Sequence, residues 1–283
     1  MDFIMATAFG IQSNCIKQPN QEFKYWGKQV FGEITDKIII LSRFYECSYT
    51  IDGERKYDNK KDVICDLSDV NKLTIAEAAA QAFGFFLAGY ETSATTASYC
   101  LYELACNPDI QDKVRTEIDE LLEKHGEISY EAANEMKYFQ NVINETLRKY
   151  PPLSILFRKC TRDIDLSDTD IHISKETIVV IPVLGLHRDP TIYPDPDKFD
   201  PERFTEANKA TRHSFAYLPF GQGPRMCMGM KLAFLQIKMG LAKLLLKYKF
   251  KPHPKTSIPL TLDKTSVLIV APKGGIHLTI EQR

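Results

Sequence analysis

No apolar run in the chain reaches the roughly 18 uninterrupted residues that a membrane-spanning helix needs. The opening residues, Met1-Asp-Phe-Ile-Met-Ala6, carry no basic cluster and no long apolar stretch, so no secretory signal is expected there. There is also no surplus of charge. The 36 Lys and Arg are balanced by 37 Asp and Glu, and a net charge of −1 gives no footing for nucleic acid, which ordinarily asks for a strong basic excess. No Cys-x-x-Cys pair occurs. Cys15, Cys47, Cys65, Cys100, Cys106, Cys160 and Cys227 are scattered and odd in number, the pattern of reduced thiols facing the cytosol rather than of a disulfide framework. Internal repeats and low-complexity tracts are absent too. What is present is a globular composition, 44% hydrophobic and 26% charged over 283 residues, enough to build a real core.

The periodicity predicts a mainly α chain with a minor β part. Residues 1–44 read as a helical segment interrupted near Gln18-Pro-Asn20, and residues 45–73 as a polar linker with turn chemistry at Asp52-Gly53 and Asp58-Asn59. The main folded part then covers residues 74–283. It begins with a capping box, Thr74-x-x-Glu77, opening a long helix to Cys106. Asn107-Pro108 starts a second helix, to about Lys124, with Ile110, Val114, Ile118, Leu121 and Leu122 on one face and Gly126 beyond its end. A third, from about Lys137, is stopped by Pro151-Pro152. Short strands are expected at Leu153–Phe157, Ile171–Ile173 and Thr177–Val183, and β pairs around Pro259–Leu262, Val267–Val270 and Ile276–Ile280. The Pro- and Asp-rich stretch from His187 to Phe220 has no sustained period and reads as ordered irregular chain. A final helix is expected from Met230 to about Tyr248.

One decapeptide concentrates the chemistry: Phe220-Gly-Gln-Gly-Pro-Arg-Met-Cys-Met-Gly229. Gly221 and Gly223 permit a tight turn that aims amide N–H groups at the sulfur of Cys227. Gly229 leaves room for the next helix to approach a flat macrocycle, and Phe220 is placed to cover the proximal side. Arg225 stands ready for an anionic group. A sulfur at the start of a helix is favoured in its anionic form. These are the requirements of a thiolate bound to haem iron; the plain alternative is a buried thiol in a Gly-rich loop.

The spacing Phe-x-x-Gly-x-Arg-x-Cys-x-Gly resembles the haem loop of the cytochrome P450 superfamily. Matches continue from about Thr74 onward in that family's order. The phrases Phe-Phe-Leu-Ala-Gly-Tyr-Glu-Thr-Ser (85–93), Leu-Tyr-Glu-Leu-Ala (101–105) and Ala-Pro-Lys-Gly-Gly-Ile (271–276) look like insect microsomal detoxification members. The resemblance implies haem b on Cys227 as the iron ligand, with Ala88 and Gly89 close to the cofactor and Glu91 and Thr92 as the acid–alcohol pair that delivers protons to reduced oxygen. It implies Arg158 and Arg225 as partners of the haem propionates. Glu145 and Arg148, three apart on one helix face, would bind Arg203 of Pro201-Glu-Arg-Phe204 as a structural ion pair. Phe85, Phe86, Pro152, Leu153, Ser154 and Leu156 would line an apolar substrate cavity; equally, such residues serve as plain core. Lys231 and Lys238 could face an acidic electron donor or simply solvent.

The implied activity is a haem-thiolate monooxygenase inserting one atom of O2 into an apolar small molecule such as a xenobiotic, plant toxin, lipid or hormone. Its electrons would come from NADPH through NADPH-cytochrome P450 reductase, with cytochrome b5 as a second possible partner, at the cytosolic face of the endoplasmic reticulum membrane. Family members are nearly twice this length. The expectation is therefore an incomplete P450 fold whose first helices, membrane anchor and N-terminal sheet lie outside this sequence. The only tryptophan, Trp26, is followed four residues later by Val30 and not by the arginine of the family's Trp-x-x-x-Arg propionate contact. Two alternatives stay open: a non-catalytic remnant that binds haem weakly or not at all, and a haem-thiolate isomerase or dehydratase, against which the intact Glu91-Thr92 pair argues.

Overall fold

A computed structural model of the protein describes residues 75–266 and 269–283. The expected segment 1–44, the linker 45–73, the cap Thr74 and the Trp26–Val30 pair lie outside the described residues. The chain divides into two compact units, Met1–Tyr90 and Glu91–Arg283, each taken by itself. The described elements are mainly helical. Helix α1 (Ile75–Cys106) runs without a break through the division, followed by α2 (Pro108–His125), α3 (Tyr130–Glu135) and α4 (Lys137–Lys149). Strands β1 (Leu156–Lys159), β2 (Ile164–Asp165), β3 (His172–Ile173) and β4 (Ile178–Ile181) come next, then the single turn α5 (Val183–Leu186) and the short α6 (Glu206–Ala210). Helix α7 (Met230–Lys247) continues directly into β5 (Tyr248–Pro252), and β6 (Leu278–Gln282) ends the chain.

The strands form three separate antiparallel pairs, β1–β4, β2–β3 and β5–β6. In the first, Phe157 lies opposite Val180 and Arg158 opposite Val179. The first strand starts three residues later than expected, because Leu153–Ile155 still belong to the irregular exit from Pro151-Pro152. The expected strand over Thr177–Val183 is shorter at both ends, and Val183 opens α5 instead. Strand β5 has no counterpart in the sequence reading. It is the extended tail of α7, and what makes it a strand is β6 arriving opposite, with Phe250 facing Ile280. Around Pro259–Leu262 only an isolated bridge forms, Leu262 to Pro272, while Val267 and Leu268 lie outside the described residues. Helix α3 was also unforeseen. Its signal is Ser129, whose hydroxyl accepts the Ala132 N–H at 3.2 Å as an N-cap.

One core gathers the end of α1 with α2, α4 and α7: Cys100 and Leu104 meet Ile110, Val114, Ile118, Phe139, Ile143, Ile237, Leu241 and Leu245. Buried polar side chains register these helices. Met136 offers α4 no side-chain cap, so Glu117 of α2 does it across the interface, each carboxylate oxygen accepting one first-turn amide, Tyr138 and Phe139, both at 2.8 Å. Gln111 is fully buried and is used three times: its amide nitrogen donates to the Leu104 and Phe250 carbonyls, and its oxygen accepts the Phe250 N–H, each at 2.9 Å. Gln111 therefore stitches β5 to α1 and α2, a role invisible in a helix-face pattern.

Replacing Gln111 by Leu keeps its bulk but strands three backbone groups. The variant should lose about 3 kcal/mol of stability, read from the urea midpoint at unchanged slope.

Candidate functional site: a cysteine loop braced by a buried ion pair

The irregular chain from His187 to Phe220 is held from α4. Arg148 has no exposed side-chain surface, and neither has its partner Glu145. The guanidinium meets the carboxylate as a fork, Nε to Oε2 at 2.7 Å and Nη2 to Oε1 at 2.9 Å. Its remaining hydrogens donate to backbone carbonyls of the irregular segment: His187 at 2.9 Å, Pro196 at 2.8 Å and Lys198 at 3.4 Å. Glu145 also accepts the Asp200 N–H at 3.0 Å and lies 3.5 Å from Nε of Arg203. Burial pushes the Glu145 carboxyl above its usual range, opposed by Arg148, the Asp200 amide and Arg203. Arg203 in turn donates to the Pro194 and Asp195 carbonyls, at 2.6 and 3.1 Å. The structure thus brings Glu145, Arg148 and Arg203 together, and most of their grip on the segment is through main-chain carbonyls.

The loop before α7 follows. Gly221 and Gly223 have φ of +68° and +77°, the left-handed region that a side chain disfavours, so these two positions require glycine. The Cys227 N–H closes the loop on the Phe220 carbonyl at 2.9 Å, and Met226 N–H bonds the Gly223 carbonyl at 3.0 Å. Phe220 roots the loop below, its ring edge-to-face with Phe234 of α7 at 5.2 Å. Cys227 is exposed and precedes the Gly229 cap of α7. A Cβ placed on Gly229 would come to 3.9 Å from the Cys227 sulfur, an ordinary contact, so Gly229 lies directly beside the thiol. Strand β1 passes alongside. Seen from a Cβ on Gly221, Leu156 lies at 3.7 Å, the Arg225 carbonyl at 3.8 Å and the Arg158 guanidinium at 3.9 Å. One open thiol, an apolar wall and an adjacent cation form the donor set that a flat, apolar, carboxylate-bearing macrocycle with one protein sulfur ligand needs.

Glu91 and Thr92 are half-buried in mid-α1, and the Thr92 carbonyl accepts the Thr96 hydroxyl at 2.8 Å. Ala88, Gly89, Phe85 and Phe86 belong to the first unit, where Phe86 stacks on Tyr90 at 5.9 Å. Leu153 is exposed and Ser154 half-buried. Pro152 is buried, and its carbonyl accepts the Val270 N–H at 3.0 Å. A cavity of about 720 Å³ lies elsewhere, between Tyr102, Lys149, Arg188, Phe199, Glu202 and Pro259, and none of the expected pocket residues lines it. Lys238 is a correction. It faces neither solvent nor a donor surface but is buried, with Nζ donating to the Ala133 carbonyl at 2.9 Å and burial lowering its ammonium to about 8. Sequence reasoning missed His187, fully buried beside the hub; its only signal was an imidazole at the head of the Pro- and Asp-rich stretch.

Comparison with known proteins agrees with this geometry. The family model described as "Cytochrome P450" matches residues 37–279. The Drosophila melanogaster protein named probable cytochrome P450 6a23 is 41% identical, covering 99% of this chain and 63% of its own length. Cytochrome P450 6k1 of Blattella germanica is 35% identical over 98% of this chain and 63% of its own. Cytochrome P450 6B1 of Papilio polyxenes is 44% identical over 83% and 46%. The chain thus spans less than two thirds of these relatives. The first alignment, 317 residues long against a chain of 283, also shows that this relative carries residues without a counterpart here.

Arg148→Lys retains the charge but loses the fork and leaves three carbonyls short of donors. The expected cost is about 3–5 kcal/mol, seen as a lowered urea midpoint.

Proposed function

Because the chain belongs to the cytochrome P450 family, we propose that it is the haem-bearing part of a haem-thiolate monooxygenase, inserting one oxygen atom from O2 into an apolar small molecule. The observation that carries this reading is the Cys227 loop: an exposed sulfur ahead of a helix, flanked by glycine and overlooked by Arg158. Family membership implies haem as the cofactor. When bound, it would supply the activation of O2, a chemistry that a thiolate ligand favours.

The chain's own residues do the rest. Cys227 would present its sulfur to the iron. Arg158 and Arg225 would pair with the carboxylates of the macrocycle and so help to orient it. Phe220, packed on Phe234, and Leu156, beside Gly221, would help to exclude water from that side. Glu91 would take up a proton from solvent and the Thr92 hydroxyl would hold and pass it on, with the small residues Ala88 and Gly89, one turn earlier, leaving room beside them. Phe85, Phe86, Leu153 and Ser154 would bound the substrate, whose apolar class follows from so few polar groups. Electrons would arrive from an NADPH-dependent reductase, with the full-length protein on the endoplasmic reticulum membrane. No described helix is long and apolar enough to cross a membrane. The retained Glu91-Thr92 pair favours oxygen activation over the isomerase or dehydratase alternative.

The chain supplied with haem, reduced and exposed to carbon monoxide, should show the strongly red-shifted Soret band of thiolate ligation, absent in Cys227→Ala. A band that survives the substitution, or none in the wild type, would sink this reading in favour of a non-catalytic remnant. Arg158→Gln should keep the band but weaken haem retention about tenfold, measured by transfer to apomyoglobin.

A further inference from the structure

His187 sits where the two halves of the site meet. Its carbonyl accepts Nη1 of Arg148, which anchors it to the buried ion pair. Its ring is fully buried, stacked on Tyr217 at 5.3 Å and edge-on to Tyr193 at 6.4 Å. Its Nε2 accepts the N–H of Leu218 at 2.8 Å. Leu218 is the threshold of the cysteine loop: its carbonyl receives the Gly221 N–H at 3.1 Å, and the Phe220 carbonyl receives the Cys227 N–H. A nitrogen that accepts carries no proton, so the ring is the neutral Nδ1–H tautomer. Nδ1 is itself buried without a hydrogen-bond partner. A water-exposed histidine has no such restriction.

We propose that His187 is the positioning residue of the cysteine loop, holding its entry to the Arg148 hub through the Leu218 amide and releasing it when the imidazole takes up a second proton. The purpose of the loop rests on the reading of Cys227 as haem ligand, whereas the clamp itself does not. Protonation would turn Nε2 from acceptor into donor, facing an N–H that is also a donor, inside a site that excludes water.

The charged surroundings reinforce the restriction. Arg148 of α4 and Arg212 of the irregular segment both face the ring and repel a positive charge; Tyr193 and Tyr217 complete its walls. Burial first, then Arg148 and Arg212, lower the imidazole from 6.5 to about 4, against the pull of the Leu147 and Arg148 carbonyls. A loop that opens returns His187 to water and to its ordinary value. Opening is therefore coupled to proton uptake between about pH 6.5 and 4, and becomes about tenfold easier per pH unit lowered in that window. Glu145, the other titratable group of the hub, works in the opposite sense. Its carboxyl is raised on folding, so acid favours its folded form and it cannot produce this loss.

The test needs no haem, so it stands apart from the ligand reading. Amide hydrogen exchange of the full chain is followed from pH 7 to 4.5, as protection relative to free-peptide rates at each pH. Leu218 and Cys227 amides are compared with Val142 and Ile143 in the core. In the wild type, protection of the Leu218 and Cys227 amides should fall about tenfold per pH unit below about pH 6.5, from a level beneath that of the core amides. His187→Gln, whose amide oxygen can replace Nε2 as acceptor but does not titrate, should keep the protection at pH 7 and abolish the acid fall. His187→Ala should expose the loop at every pH. A fall that persists in His187→Gln, or Leu218 protection that is unchanged in His187→Ala, would overturn the proposal. Should the alanine variant not fold, the glutamine variant alone decides. The carbon monoxide spectrum of the haem-supplied wild type reports separately on Cys227, so either idea can fail without the other.

Discussion

A guanidinium with no access to solvent, that of Arg148, ties the last turn of α4 to carbonyls 39, 48 and 50 residues further along the chain. Nothing else in the described residues does so much with one side chain. The stretch from His187 to Phe220 has only short helical turns, so its backbone groups lack the partners that a helix or sheet would supply. Arg148 supplies several of them, and Glu145 makes the buried cation tolerable. A buried ion pair of this kind is a weak source of net stability, since desolvation offsets most of the attraction. Its value lies in direction: five fixed donors in a plane accept only one arrangement of the chain around them.

The cysteine loop inherits that order. It is held at three depths: by Leu218 on His187, by Phe220 against Phe234, and by the Cys227 amide on the Phe220 carbonyl. The sulfur is left exposed at the end of this series, on backbone that two left-handed glycines bend into place. Rigid support beneath an open ligand atom is the arrangement that a cofactor-binding loop needs, because a ligand held loosely loses geometric control of what it binds. Arg158 reaches the same loop from β1, so a strand that pairs only with β4 contributes its cation without joining the helical core.

Most helices were legible because their signals are local. The Pro108 start, the Gly126 stop and the apolar stripe Ile110–Val114–Ile118–Leu121 are all written within one segment. The Glu145-x-x-Arg148 spacing and the decapeptide around Cys227 were legible for a related reason: each places its essential groups within a few residues. Strand β5 was not, because Tyr248–Pro252 becomes a strand only when residues 278–282 come to lie beside it. Lys238 was misread because a lysine on a helix ordinarily belongs to solvent. Only the carbonyl of Ala133, a hundred residues earlier, makes its burial possible.

The same distinction separates what each level decided. The sequence alone determined the long helices, the glycines that the loop turns on, and the family to which the chain belongs. Covalent neighbours are enough to set a dihedral preference or a ligand spacing. Which polar side chains would serve as fasteners was decided by tertiary structure. Gln111, Glu117, His187 and Lys238 each satisfy backbone groups of a distant segment. A buried polar residue takes its role from whichever unpaired amide or carbonyl folding brings to it, and no local pattern records that partner.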